Sequence, residues 1–235
     1  MSIHEHQMSQ SSYNQAFIER RYQQWAKVYD WLTPFYLLGA EKCLRRNTIS
    51  ALHLQPGQTV LDLACGTGRN FPLIQEAIGP AGKLVGVDYT AAMLARARER
   101  IAREGWKNVE LVQADAAQVN LGRRFDAILC TLAFGVIPDG YGTLARMKAH
   151  LKPGGWLAIG DAKRSSRWYA WTLNWVAELL GYGAAEVMTR RPWLHLRKQL
   201  DDFHFEEWFA GFYYVTGGRL PTRHLASRDE EGEYA

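Results

Sequence analysis

The segment that most limits how this chain can fold is Thr59-Val60-Leu61-Asp62-Leu63-Ala64, which runs straight into Cys65-Gly66-Thr67-Gly68-Arg69-Asn70. A short, nearly continuous apolar run reads as a strand buried on both faces, because a half-exposed strand would alternate apolar and polar side chains. Glycines just after such a strand let the backbone turn tightly and approach a ligand with no Cβ in the way. In doubly wound sheets that is the end of the strand where nucleotides sit. A lone G-x-G also describes many tight turns, so the reading depends on the residues downstream of it.

Downstream of this turn the chain alternates. Phe71 to Ala77 reads as a helix, Lys83 to Asp88 as a strand, Ala91 to Glu104 as a helix, and Val109 to Gln113 and Phe125 to Cys130 as strands. Helix Tyr141 to Leu151 and strand Trp156 to Gly160 continue the pattern. Such alternation implies a parallel sheet with helices on both faces. Two aromatic-rich strand candidates, Phe203 to Phe209 and Phe212 to Thr216, are spaced closely enough for an antiparallel hairpin at the sheet edge. Upstream, Phe17 to Trp31 reads as a helix. Thr33-Pro34 supplies an N-cap and first helical position for a second helix, which runs to about His53. The expected fold is therefore α/β: a Rossmann-like, doubly wound, mostly parallel seven-stranded sheet with an antiparallel C-terminal hairpin and N-terminal helices.

At 235 residues the chain fits a single domain. The expected organisation is a disordered N-terminus over 1–16, one domain over 17–220 and a flexible acidic tail over 221–235. Within the domain, 17–54 is expected to form a helical cover and 164–200 a helical insertion. With 47% hydrophobic and 22% charged residues the composition is that of an ordinary globular protein. No apolar run approaches the roughly 18 residues of a membrane span, and the polar start lacks a signal-like stretch, so a cytoplasmic location is expected. Peripheral contact with a membrane surface stays open. Cys43, Cys65 and Cys130 lack paired spacing and are expected as free thiols. The net charge of +4 decides nothing alone, but residues 161–200 carry seven Lys or Arg against three Asp or Glu.

The glycine turn does not stand alone. Asp88 ends the next strand, twenty residues after Gly68, where a carboxylate can accept from both ribose hydroxyls of an adenosyl group. Asp115 comes after the third strand, where it can receive an adenine amino group while the Ala116 N–H meets a ring nitrogen. Two such acids at consecutive strand ends favour a ligand over a solvated loop. A dinucleotide fingerprint would need a small residue three after Gly68, and Phe71 stands there. S-adenosylmethionine (SAM) has no phosphate and carries a sulfonium and an amino acid end, which suits Asp62 near the ammonium and the absence of a phosphate-binding Lys.

At these residues the chain resembles the class I SAM-dependent methyltransferases. Asp62 to Gly68 matches the first motif, Asp88 the ribose acid and Asp115 the adenine acid. The likeness extends over about Tyr22 to Thr216, and Leu151-Lys152-Pro153-Gly154-Gly155 looks like that family's turn before the fifth strand. Ala64 departs from it, where Gly is common. The resemblance implies SAM as cofactor, S-adenosylhomocysteine as product and no metal. It implies a cofactor site drawn from Tyr29, Asp62, Ala64, Gly66, Gly68, Asp88, Tyr89, Met93, Asp115, Ala116 and Thr131.

The same resemblance puts the acceptor above the ends of the fourth and fifth strands, at Cys130-Thr131-Leu132-Ala133-Phe134 and Gly160-Asp161-Ala162-Lys163. The motif that base- and glutamine-methylating members carry after the fourth strand, an Asp or Asn followed by Pro-Pro and an aromatic, is missing, so nucleic acid is not an expected partner. Segment Arg21 to Asp30 resembles the covering helix of the quinone C-methyltransferases and of bacterial lipid N-methyltransferases, and the longer stretch Tyr29 to Asn70 looks most like betaine-lipid and phosphatidylethanolamine N-methyltransferases. Trp168, Trp171, Trp175, Leu179 and Tyr182 recur at helical spacing after Lys163, Arg164 and Arg167. That pattern fits a core-facing helix or one lying at a lipid interface.

The leading expectation is N-methylation of an amino lipid head group. Ring C-methylation of a ubiquinone or menaquinone precursor is the enzymatic alternative, and a SAM-binding regulatory subunit without turnover the alternative of another class. Candidates for assisting the chemistry are Tyr22, Tyr29, Asp161, His204 and Tyr214, with no single base selected.

Overall fold

A computed structural model describes residues 40–171 and 190–222. The expected disordered start, the Phe17 to Trp31 helix, the acidic tail and most of the Trp168 to Tyr182 stripe lie outside them. The elements are α1 Ala40–Ser50, β1 Thr59–Leu63, α2 Phe71–Ile78, β2 Lys83–Asp88, α3 Ala91–Glu104, β3 Val109–Gln113 and β4 Phe125–Thr131. They continue as α4 Gly140–Ala149, β5 Leu151–Ala162, α5 Pro192–Gln199, β6 Asp201–Trp208 and β7 Tyr213–Arg219.

The strands form one seven-stranded sheet in the order β3-β2-β1-β4-β5-β7-β6. Contacts through β3, β2, β1, β4 and β5 are all parallel, and β7 runs antiparallel to both β5 and β6. The expected hairpin is present, with its second strand slotted between β5 and its first. Because β1 pairs with both β2 and β4, the chain order reverses there and leaves a crevice at the carboxyl ends of those strands.

Both faces of the sheet are buried, as the apolar strand runs require. One core joins Leu61, Leu63, Val85 and Val87 to Leu144 and Met147 of α4 and Leu196 of α5. The other joins Val60 and Leu84 to Ile49, Ile74, Ile78 and Leu94 from the helices on the opposite face, with Leu52 from the turn after α1. In α2 the buried residues are Phe71, Ile74 and Ile78, three and four residues apart, so one stripe of the helix meets the sheet. Burying a side chain such as Phe71 stabilises the fold by about 1.5–3 kcal/mol.

Residues 151–155, expected as a turn, belong to β5. Phe125 pairs with Leu151 and Ala127 with Trp156, so the residues between form a bulge. Gly154, at φ +77°, makes this possible, and its N–H donates to the Leu220 carbonyl at 2.8 Å. The three cysteines are free thiols. No described helix is long and apolar enough to cross a membrane.

Candidate active site

At the crevice lies an open cleft. Its first wall is the loop after β1. Ala64, Gly66 and Gly68 have φ of +57°, +56° and +73°. A left-handed backbone costs an L-residue roughly 1–2 kcal/mol, which is why glycine is usual where Ala64 stands. The two glycines do different jobs. A Cβ on Gly66 would meet nothing within 4 Å, so its backbone faces open space in the cleft. A Cβ on Gly68 would come within 2.7 Å of the Phe71 ring. Gly68 therefore serves the packing of α2 and does not line the cleft.

The second wall carries acids. Asp88, at the end of β2, accepts the Gly66 N–H at 2.8 Å and the Thr90 N–H at 2.9 Å, tying two loops together. Burial raises its pKa above the usual carboxylate range, against those hydrogen bonds. A carboxylate offers about four acceptor positions, so two backbone donors leave capacity for ribose hydroxyls. Asp115 accepts from the Ala117 N–H at 2.9 Å while its carbonyl accepts from Val119 at 2.8 Å, which fixes the turn after β3. Tyr89, Met93 and Ala116 complete this end. The open backbone at Gly66 and the acids at consecutive strand ends suit an adenosyl group.

Beneath the cleft runs a buried polar chain. Asn70 donates to both Asp62 oxygens at 3.0 Å and to the Thr131 hydroxyl at 2.5 Å, and its carbonyl accepts from Arg45 at 2.8 Å. Glu41 holds Arg45 and Arg69 together, each at 2.7 Å. Asp62 is fully buried and does not line the cleft. Desolvation lifts its pKa to about 7, opposed by Asn70 and Arg45. Asp62 thus organises Asn70 and Thr131 from below.

The third wall comes after β4. Leu132 sits at φ +53° and donates its N–H to the Gly160 carbonyl at 2.8 Å. Leu132, Ala133, Val136, Ile137 and Pro138 make this side apolar. Two charges pin the loop from behind. Asp161 accepts the Gly135 and Ala162 N–H groups, both at 2.7 Å, and burial raises its pKa to about 6. Arg190 donates to the carbonyls of Phe134 at 3.1 Å, Pro138 at 2.7 Å and Ile137.

Of the expected cofactor residues, Ala64, Gly66, Asp88, Tyr89, Met93, Asp115, Ala116 and Thr131 line the cleft, while Asp62 and Gly68 support it. Tyr22 and Tyr29 lie outside the described residues. Among the remaining acid–base candidates, Asp161 holds the loop rather than facing the cleft. Tyr214 is buried, with ring centroids 4.9 Å from Trp193 and 6.2 Å from Phe205. His204 pairs with Gly217 near the outer edge of the sheet, away from the cleft lining, and burial lowers its pKa. Sequence reasoning alone does not find Arg45, Arg69 and the Val136 to Pro138 stretch. The four-residue spacing of Glu41 and Arg45 on α1 is the one available sign of the first. Among the described residues no group of three or more His, Cys, Asp or Glu could hold a metal.

The chain matches the methyltransferase domain family over residues 60–155. It is 28% identical to demethylmenaquinone methyltransferase of Staphylococcus aureus (strain JH9) over 244 residues, covering 95% of this chain and 98% of that protein. Among solved structures, the DhpI-SAM-HEP complex matches with a TM-score of 0.62 at 21% identity, over 88% of this chain and 97% of that one. A SAM-dependent methyltransferase from Aquifex aeolicus matches with a TM-score of 0.53 at 20% identity, over 75% of this chain and 89% of that one. At such identities the structures speak for the fold.

Proposed function

Because this chain is a class I SAM-dependent methyltransferase, with SAM as its cofactor, we propose that it methylates a ring carbon of a lipophilic quinol. The observation that carries this reading is the apolar wall of Leu132, Ala133, Val136, Ile137 and Pro138, where the described residues offer no carboxylate to an ammonium group. The Staphylococcus aureus relative, aligned along almost the whole chain, supports the same acceptor class.

SAM, when bound, would supply an electrophilic methyl carbon. In-line attack by the quinol ring carbon would break the methyl–sulfur bond, release S-adenosylhomocysteine as the thioether, and leave the ring carbon to lose its proton to solvent. Asp88 would hold the ribose and Asp115 with Ala116 the adenine edge. Arg45 and Arg69 offer guanidinium groups for the carboxylate of the amino acid end. The apolar wall excludes water and holds the acceptor ring in register, and such alignment supplies much of the rate in displacements of this kind.

A second reading keeps the amino lipid acceptor. It is favoured by the same wall: among the described residues none there is a basic side chain, and a neutral amine needs no base at the moment of attack, whereas a quinol hydroxyl must lose its proton. Incubation with methyl-tritiated SAM, offering reduced demethylmenaquinone in one arm and phosphatidylethanolamine in the other, decides between them. Label in the quinol ring is the expected result. Label in phosphatidylethanolamine alone, or in neither, removes the quinol reading.

A further inference from the structure

The carboxyl end of the sheet carries a second surface beyond the cleft. The chain leaving β5 and the turn between β6 and β7 meet there and are knitted together. The Lys163 N–H donates to the Phe212 carbonyl at 2.8 Å, and the Ser165 hydroxyl to the Ala210 carbonyl at 2.5 Å. Lys163 is buried and paired with Glu207 at 2.8 Å, so it clamps the two pieces from inside.

What this knob shows to solvent is aromatic. Trp168 is 85% exposed, Trp171 68%, Phe209 51% and Tyr169 50%. Phe209 also sits at φ +49°, and a bulky residue held in a left-handed backbone while its ring faces water points to a role outside the fold. Arg164 and Arg167 lie exposed at the base of the same knob. Among the described residues Arg167 has Glu207 as its acidic partner, 3.9 Å away and already engaged by Lys163 at 2.8 Å.

We propose that this knob, made of Trp168, Tyr169, Trp171 and Phe209 with Arg164 and Arg167, docks the enzyme on an anionic lipid bilayer. Indole and phenol rings settle at the level of the head groups, where one edge is apolar and the other wet, and guanidinium groups meet lipid phosphate. The charge at the base of the knob selects an anionic surface over a neutral one. The knob grows from the end of β5, at the same end of the sheet as the apolar wall of the cleft, so docking turns the acceptor side toward the bilayer. This inference rests on the lipophilic acceptor proposed above.

Sedimentation with phosphatidylcholine vesicles, with and without phosphatidylglycerol, tests it on the full chain. Binding is expected only with phosphatidylglycerol, and it weakens as salt rises. Arg164→Gln with Arg167→Gln should lower the affinity about 25-fold, roughly fivefold for each charge. Trp168→Ser with Phe209→Ser should lower it about tenfold or more. SAM affinity and the thermal midpoint serve as fold controls, and quenching of tryptophan fluorescence by brominated lipid in the unmodified protein gives a reading that needs no variant.

No sedimentation with either vesicle, or undiminished binding by the aromatic variant, overturns the proposal. So does a dimer in solution that the same variant abolishes, which would give the surface to a second copy of the chain. Methyl transfer to reduced demethylmenaquinone in detergent micelles is measured alongside. Transfer without vesicle binding ends the docking proposal and spares the acceptor; vesicle binding without transfer does the reverse.

Discussion

The two halves of the cleft are built by different means. On the cofactor side, Ala64, Gly66, Asp88, Asp115 and Ala116 sit at the ends of neighbouring strands, each placed by the few residues before it. On the acceptor side, the loop after β4 is held by groups far away in the chain. Asp161 reaches Gly135 across 26 residues, and Arg190 reaches Phe134 across 56. The first half is a property of the sheet. The second depends on what the C-terminal third of the chain does, and so it can vary among proteins that share the cofactor.

If that division is right, damage should stay on its own side. The largest effect is expected at Asp88. Asp88→Ala removes a carboxylate that ties Gly66 to Thr90 and that we propose holds the ribose. Two charge-assisted hydrogen bonds to a ribose are worth about 1.5–3 kcal/mol each, so SAM affinity should fall by at least about 100-fold. Calorimetry measures it directly. Unchanged affinity would take Asp88 out of the site and dissolve the comparison.

Arg190 tests the other half, with a smaller effect. Arg190→Met leaves three loop carbonyls without their donor, and the apolar wall loses its brace. The expected outcome is a roughly 10-fold to 100-fold loss in kcat/KM for the acceptor, at about 1.4 kcal/mol per tenfold, with SAM affinity unchanged. Arg190→Lys should recover only part of it, because an ammonium cannot reproduce the guanidinium fork that spans these carbonyls. Equal losses in SAM binding would mean that the brace supports the whole cleft.

The same division explains what can be read from the sequence. The strands, the helices up to residue 104 and the cofactor acids are legible because each arises from a local pattern: an apolar run, a glycine turn, a carboxylate at a strand end. Gly68 is recognisable in the sequence but its task is not, since the contact that requires it, the Phe71 ring, is made in three dimensions. Asp62 reads as a cofactor contact, whereas it acts through Asn70 from beneath. Asp161 stands out, yet as a reactive group; its role in holding Gly135 depends on the course of the loop after β4. The bulge at 151–155 reads as a plain turn because Pro and Gly serve both, and only the pairing of Trp156 with Ala127 separates them.

The smallest effect is the sharpest test of how the acceptor half is built. Each half of the cleft contains one non-glycine residue in a left-handed backbone, Ala64 in the loop after β1 and Leu132 in the loop after β4, at φ +57° and +53°. At an ordinary strand or helix position glycine is less stable than alanine by about 0.5–1 kcal/mol, because it loses more freedom on folding. Where φ is positive the order inverts, since alanine keeps the clash between Cβ and backbone and glycine sheds it. Leu132→Gly should therefore be more stable to urea than Leu132→Ala, by about 1 kcal/mol, although both lose the same half-buried side chain from the apolar wall. Ala64→Gly should gain a similar amount over the unmodified protein. Both Leu132 variants should raise the KM for the acceptor to a like extent and leave SAM affinity alone, because the wall has lost the same contact whatever the backbone does. If Leu132→Ala proves the more stable of the pair, the turn after β4 is not strained in solution, and the acceptor half must be positioned by Asp161 and Arg190 alone.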